Sequence, residues 1–188
     1  MNLVWIYWPS GCWKTTLQTK LLDNRPDKFV RVILDTDRAM RKDLQWAPIE
    51  FEGKDYHFVS PEEFARRKYL FSIKHWDRNY GIPLESSAIQ EISAPTSEKI
   101  GIIVWWRKFI EQVKNGWGHD LFLIQMLLGI DNIRSSMFKR WDEFSNVLER
   151  LRDIYSQEIW IDWSLRVTRG YNVANIGETI LSHYSVWV

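Results

Sequence analysis

Four stretches of the chain are near-continuous in apolar residues: Leu3–Tyr7, Phe29–Leu34, Ile100–Trp105 and Leu121–Leu128. That pattern predicts strands buried on both faces of a parallel sheet. A different period runs through Phe144–Ile154, where Val147, Leu148, Leu151 and Ile154 fall at helical spacing and give one apolar face. Lys14–Asp23, Ser86–Ile92 and Glu178–Tyr184 predict further helices, Gln157–Ile161 a last strand, and Tyr69–Ile73 and the neighbourhood of Tyr80 extended chain. Ser60-Pro61-Glu62-Glu63 predicts a helix start, with Ser60 as N-cap, Pro61 in the first turn and Glu63 closing a capping box. Strands that alternate with helices predict an α/β fold, a parallel sheet with helices on both sides. No internal repeat or low-complexity tract interrupts it.

At 188 residues the chain fits one domain with room for a lid or small subdomain. A net charge of +1 gives no electrostatic case for nucleic acid or an anionic membrane. No apolar run reaches the roughly 18 residues that a membrane span needs. The start, Met-Asn-Leu-Val-Trp-Ile-Tyr, has neither a basic segment nor a small-residue cleavage site, so a cytoplasmic location is expected. The single Cys12 rules out an internal disulfide and suits a reducing compartment. Twelve tryptophans are the compositional oddity, and Trp46, Trp76, Trp117, Trp141 and Trp163 stand in polar, loop-like surroundings. Such positions normally take Gly, Asn or Asp.

Chemistry enters at Trp8-Pro-Ser-Gly-Cys-Trp-Lys-Thr15. A phosphate-binding loop reads G-x-x-x-x-G-K-[ST] between a strand and a helix, and the context here is that one. Lys14 stands where an ammonium reaches phosphate and Thr15 where a hydroxyl meets magnesium. Trp8 and Trp13 replace the two glycines, whose role is to bring successive N–H groups inward with no Cβ near the anion.

With three further segments the chain resembles the guanylate kinases: Asp37-Arg38-Ala39-Met40-Arg41, then Gly53-Lys54-Asp55-Tyr56-His57-Phe58-Val59-Ser60 with Pro61-Glu62-Glu63-Phe64, then Asn79-Tyr80-Gly81-Ile82-Pro83. The likeness is best over residues 3–83, and Arg41 to Tyr56 is several residues longer than is usual there. It implies a P-loop NTPase-type sheet, with a core at about 1–34 and 84–188, a nucleoside-monophosphate-binding subdomain at about 35–83 and a lid at about 134–150. The implied reaction is ATP-dependent phosphorylation of a nucleoside monophosphate, with magnesium. Ser10, Gly11, Cys12, Lys14, Thr15 and Thr16 would hold ATP, with Thr15 on the metal. Arg38, Arg41, Tyr56 and Tyr80 would grip the acceptor phosphate, for which two guanidinium forks are well suited. Lys139-Arg140-Trp141-Asp142 and Glu149-Arg150-Leu151 resemble the lid, so Arg140 and Arg150 would join Lys14 as catalytic cations.

The departures matter as much. The places from which relatives read guanine hold Leu34 or Asp35 and Phe71 or Ser72, and an expected Asp-x-Asp pair is replaced by Val104-Trp105-Trp106-Arg107. Three readings therefore stay open: a GMP-type kinase impaired by Trp8 and Trp13, a non-catalytic domain that binds a phosphorylated peptide or protein partner, or a related small-molecule kinase acting on a sugar phosphate or an unusual deoxynucleotide.

Overall fold

Each of the four apolar runs contains a strand, in a computed structural model that describes residues 1–7, 13–43, 45–75, 77–105, 121–127, 165–168 and 171–185. The elements in chain order are β1 (Asn2–Tyr7), α1 (Lys14–Asn24), β2 (Phe29–Arg31), β3 (Leu34–Thr36), β4 (Tyr56–Phe58), α2 (Pro61–Arg66), β5 (Tyr69–His75) and β6 (Arg78–Pro83). They continue with α3 (Ser87–Ser93), β7 (Ile100–Trp105), β8 (Leu121–Leu127), β9 (Leu165–Thr168) and a last helix, α4 (Val173–Ser185).

Five strands form a wholly parallel sheet in the order β2-β7-β1-β8-β9. β1 lies at its centre, and alternate residues of β1 enter two different cores, as a pleated strand requires. Val4 and Ile6 pack with Leu17 and Leu21 of α1 and with Ile176 and Ile180 of α4. Leu3, Trp5 and Tyr7 pack on the other side with Ala88, Ile89 and Ile92 of α3. The same core takes Leu34, Tyr80 and Ile82 from a second sheet, ordered β4-β3-β6-β5. The second sheet is mixed: β3 pairs parallel with β4, while β6 runs antiparallel to both β3 and β5. The Tyr184 hydroxyl fastens α4 to the strands, donating to the Leu3 carbonyl at 2.6 Å and accepting from the Phe122 amide at 3.1 Å.

Three expectations need correction. Phe29–Leu34 is not one strand. Val32 still donates to the Ile102 carbonyl at 3.1 Å, but from Leu34 the chain pairs with Tyr56 in the other sheet. Ser60 caps α2 through its hydroxyl, which accepts from the Glu63 amide at 3.1 Å. Glu63 does not return to Ser60, because its carboxylate is bound by Arg67 one turn on, so the capping box is only half made. The last helix starts at Val173 rather than Glu178, with the Asn172 side chain accepting from the Ala174 amide at 2.9 Å. Leu128, the Phe144–Ile154 helix, the Gln157–Ile161 strand and the lid at 134–150 lie outside the described residues. Among the described residues no helix is long and apolar enough to cross a membrane.

Candidate functional site

Central strand β1 leads into α1 at the carboxyl edge of the parallel sheet, the edge at which open α/β sheets bind ligands. Trp13 occupies the N-cap of α1 at φ 59, ψ 23, and makes no side-chain capping bond. That is left-handed backbone, natural to glycine and unfavourable for any residue with a Cβ. The only other described non-glycine residue at positive φ is also a tryptophan, Trp46 at φ 63. Both indoles thus sit on backbone of the kind glycine supplies. Lys14, Thr15 and Thr16 form the first turn of α1, Lys14 partly buried and both threonines exposed. No acidic side chain stands in that turn, so the helix dipole there favours an anion. Trp8, Ser10, Gly11, Cys12, Arg140 and Arg150 lie outside the described residues.

Arg38, Arg41, Tyr56 and Tyr80 come together. The Arg38 guanidinium lies 4.8 Å from the Tyr56 ring centroid, and the Tyr56 and Tyr80 rings meet edge to face at 5.9 Å. β4 and β6 flank β3 in the second sheet and so bring the two tyrosines to one face. Just before Tyr80, Asn79 donates its amide to the Asp37 carboxylate at 2.7 Å, which ties that strand to the arginine segment. Burial pushes the Tyr56 hydroxyl above the usual phenol range, with the Arg38 charge pulling the other way, so it remains a protonated donor.

The link between the two arginines is Glu50, which sequence reasoning missed. Its carboxylate accepts from both terminal nitrogens of Arg38 at 2.6 and 2.7 Å and from the Arg41 amide at 2.9 Å. The Arg41 guanidinium is 3.7 Å away and about half exposed, whereas the Arg38 and Glu50 side chains are only 10% and 11% exposed. Glu50 stands between exposed Ile49 and Phe51, so burial here inverts hydropathy. The only hint in the sequence is a carboxylate inside an otherwise apolar Ala-Pro-Ile-Glu-Phe stretch.

Burial raises the Glu50 carboxyl, but the bonds from Arg38 and the Arg41 amide outweigh it and hold the group below the usual glutamate range. A carboxyl depressed on folding stabilises the protein above its unfolded pKa and loses that contribution as pH falls through its folded value. We expect the stability gap between the unaltered protein and Glu50→Gln, read by urea unfolding, to be largest near neutrality. It should shrink below about pH 4, under the ordinary glutamate value. The other depressed carboxyls, Asp27, Glu52, Glu62 and Glu98, are exposed and common to both proteins.

Beside Tyr80 the face turns apolar. Phe71 and Tyr80 both contact the Trp105 ring, at 6.5 and 5.5 Å between centroids, and Leu34 joins the same core. Of the alternatives at the guanine-reading places, Leu34 and Phe71 therefore belong to the arginine–tyrosine side. Asp35 is fully buried and bonds Arg67 at 2.8 Å and the Tyr69 hydroxyl at 3.1 Å. With His57, Lys68 and Glu85 it lines a separate cavity of about 320 Å³. Among the described residues no cluster of three or more His, Cys, Asp or Glu is arranged to hold a metal.

Comparison with known proteins places the chain in a family. The family model for guanylate kinase matches residues 1–94. A guanylate kinase of Salinibacter ruber is 44% identical over 159 residues, which are 84% of this chain and 81% of that protein. One of Anaplasma phagocytophilum is 30% identical over 151 residues, 75% of this chain but 65% of that relative, so the chain spans just under two thirds of its length. The Anaplasma phagocytophilum guanylate kinase crystal structure superposes with a TM-score of 0.60 at 18% identity, over 99% of this chain and 85% of that one. The chain belongs to the guanylate kinase family.

Proposed function

We propose that the chain transfers a phosphoryl group from ATP to the phosphate of a nucleoside monophosphate. The observation that carries the reading is the convergence of Arg38, Arg41, Tyr56 and Tyr80 on one small patch beside the parallel sheet. Phosphoryl transfer needs alignment and charge neutralisation more than covalent help, and two guanidinium groups with two phenols supply both to an acceptor phosphate. In this reading residues 35–83 are the acceptor-binding part and residues 134–150 a lid that brings in Arg140 and Arg150. Lys14 neutralises charge between the donor phosphates, and Ser10, Gly11, Cys12 and Thr16 complete the loop that holds them. With Trp105 where a carboxylate is expected, Thr15 is the residue whose hydroxyl would hold magnesium, an ion that keeps several waters. The ion would offset charge on the transferring phosphoryl group. Cytoplasm is the compartment in which ATP and nucleoside monophosphates meet such an enzyme.

The surface offered to the base is Phe71, with Leu34 and Trp105 buried behind it, and none of the three has a carboxylate with which to read guanine. An apolar wall separates similar ligands by only about 10–200-fold, whereas buried hydrogen-bonding partners reach about 10⁴ or more. GMP, AMP and dTMP are therefore expected to bind within about 200-fold of one another by isothermal titration. A preference for GMP above a thousandfold would overturn the apolar-wall reading. Titration with ATP, separately, tests the enzyme reading itself.

A second reading is favoured by Trp13: an indole at the donor loop beside an intact anion cluster suits a non-catalytic domain that binds a phosphorylated peptide or protein partner. Monophosphate binding without ATP binding would move that reading ahead.

A further inference from the structure

The cavity that Asp35 lines has no part in the phosphoryl-transfer reading. Successive strand residues point to opposite faces of a sheet, so Asp35 leaves β3 on the side away from Leu34 and its core partner Tyr80. Its neighbours across the sheet are His57 on β4 and Gly81 on β6. The Tyr69 ring lies so close to Gly81 that a Cβ there has no room, and it stacks on Phe64 at 4.3 Å. Packing thereby delivers the Tyr69 hydroxyl to Asp35 Oδ2 at 3.1 Å, and Arg67 reaches the same oxygen at 2.8 Å. Arg67 also holds Glu63, so its charge is answered twice. The other oxygen, Oδ1, has no partner among the described residues, on a side chain wholly out of solvent. A buried acceptor of that kind destabilises the fold unless something donates to it.

At about 320 Å³ the cavity lies at the lower end of the range for small-molecule clefts, roughly 300–1,000 Å³. Its buried lining is Asp35 and Pro83, and its exposed lining includes Lys68 and Glu85. The Leu84 amide donates to the Lys68 carbonyl at 3.1 Å, which sets those two charged residues near each other. Neither side chain has a partner among the described residues. The other polar groups are engaged: the Ser86 hydroxyl accepts from the Ile89 amide at 3.3 Å, and His57 Nδ1 meets Glu52 at 2.9 Å. The cavity therefore offers a buried carboxylate, one free cation and one free anion. A bare anion would face two carboxylates, and a bare cation would leave Lys68 unanswered.

We propose that this cavity is a second binding site, for a small zwitterion of the amino-acid type. Its ammonium donates to the Asp35 carboxylate and its carboxylate meets Lys68, with Glu85 facing any further donor. The site is independent of the acceptor-phosphate reading, which uses the opposite face of the same sheet.

The test is titration of the intact protein, followed through its backbone amide NMR signals, with L-serine, ethanolamine, acetate and inorganic phosphate. Ethanolamine is serine without its carboxylate, and acetate has no ammonium. L-serine is expected to shift Asp35, His57, Lys68 and Glu85 saturably and to bind about tenfold or more tightly than ethanolamine or acetate. Lys68→Ala should bring L-serine down to the level of ethanolamine and leave ethanolamine unchanged. Asp35→Asn should weaken L-serine and ethanolamine about tenfold and spare acetate. If the buried Asp35 variant fails to fold, the exposed Lys68 variant still decides. Arg41→Ala, on the acceptor face, should change none of these and so separates the two sites. Acetate or phosphate binding as tightly as L-serine overturns the proposal in favour of an anion site at Lys68. Equal binding of L-serine and ethanolamine overturns the zwitterion. No saturable shift at these residues from any probe overturns the site and leaves water as the donor to Asp35.

Discussion

Restoring glycine at both loop positions, Trp8→Gly with Trp13→Gly, is expected to raise ATP-dependent phosphorylation of a nucleoside monophosphate by about a hundredfold or more. A hundredfold corresponds to about 2.7 kcal/mol of recovered transition-state stabilisation. The backbone argument is concrete at Trp13, which holds φ 59 at the head of α1. A residue with a Cβ gives up about 1–2 kcal/mol in that conformation, and glycine does not. The larger effect is steric and electrostatic. The amides that open α1 are donors of the kind a phosphate needs, and the Trp13 indole beside them is 49% exposed, where it is expected to compete with phosphate. Trp8 lies outside the described residues, but the replaced glycine has the same job at the loop's start. Lys14→Ala in the restored background should abolish the gain, because charge developing between donor phosphates loses its counter-charge. Coupled-assay turnover and ATP titration are the measurements. Brisk turnover by the unaltered protein would show that the tryptophans do not obstruct ATP. A restored loop that binds ATP yet phosphorylates no nucleotide would favour the binding-domain reading.

The sequence was most informative where burial and chemistry coincide with simple patterns. β1, β7 and β8 are apolar on both faces because helices or a second sheet cover both sides, and their runs read directly as buried strands. Arg38, Arg41, Tyr56 and Tyr80 were legible through likeness to a family rather than through any periodicity. Hydropathy could not show the chain changing sheets between Arg31 and Leu34, because Val32 is buried in either event. β9 escaped notice because it is four residues long with Arg166 exposed in its middle. Glu50 and Asp35 were the hardest to see. A buried carboxylate looks like a surface one until its arginine partner, 12 or 32 residues away, is brought alongside.

The two arginines of the candidate acceptor site should separate in a way that neither residue type nor sequence position foretells. Arg38→Ala leaves the Glu50 carboxylate, 11% exposed, without its bidentate partner. Removing one member of a buried ion pair typically costs about 3–5 kcal/mol, because the other charge stays desolvated. Arg41→Ala removes a half-exposed guanidinium 3.7 Å from Glu50, while the backbone amide that holds the hairpin survives. An exposed pair of that kind contributes about 0–1 kcal/mol. Urea unfolding should therefore place Arg38→Ala several kcal/mol below the unaltered protein and Arg41→Ala within about 1 kcal/mol of it. Binding should not follow the same order. In the proposed acceptor site both substitutions would remove a charge-assisted grip on phosphate, the stronger kind of hydrogen bond at about 1.5–3 kcal/mol. Each is accordingly expected to weaken GMP by about tenfold to a hundredfold, a loss that titration of the folded fraction would measure. If Arg41→Ala binds GMP undiminished, the anion site is not where these residues meet. Equal destabilisation by the two variants would instead mean that Arg41, not Arg38, balances the buried carboxylate.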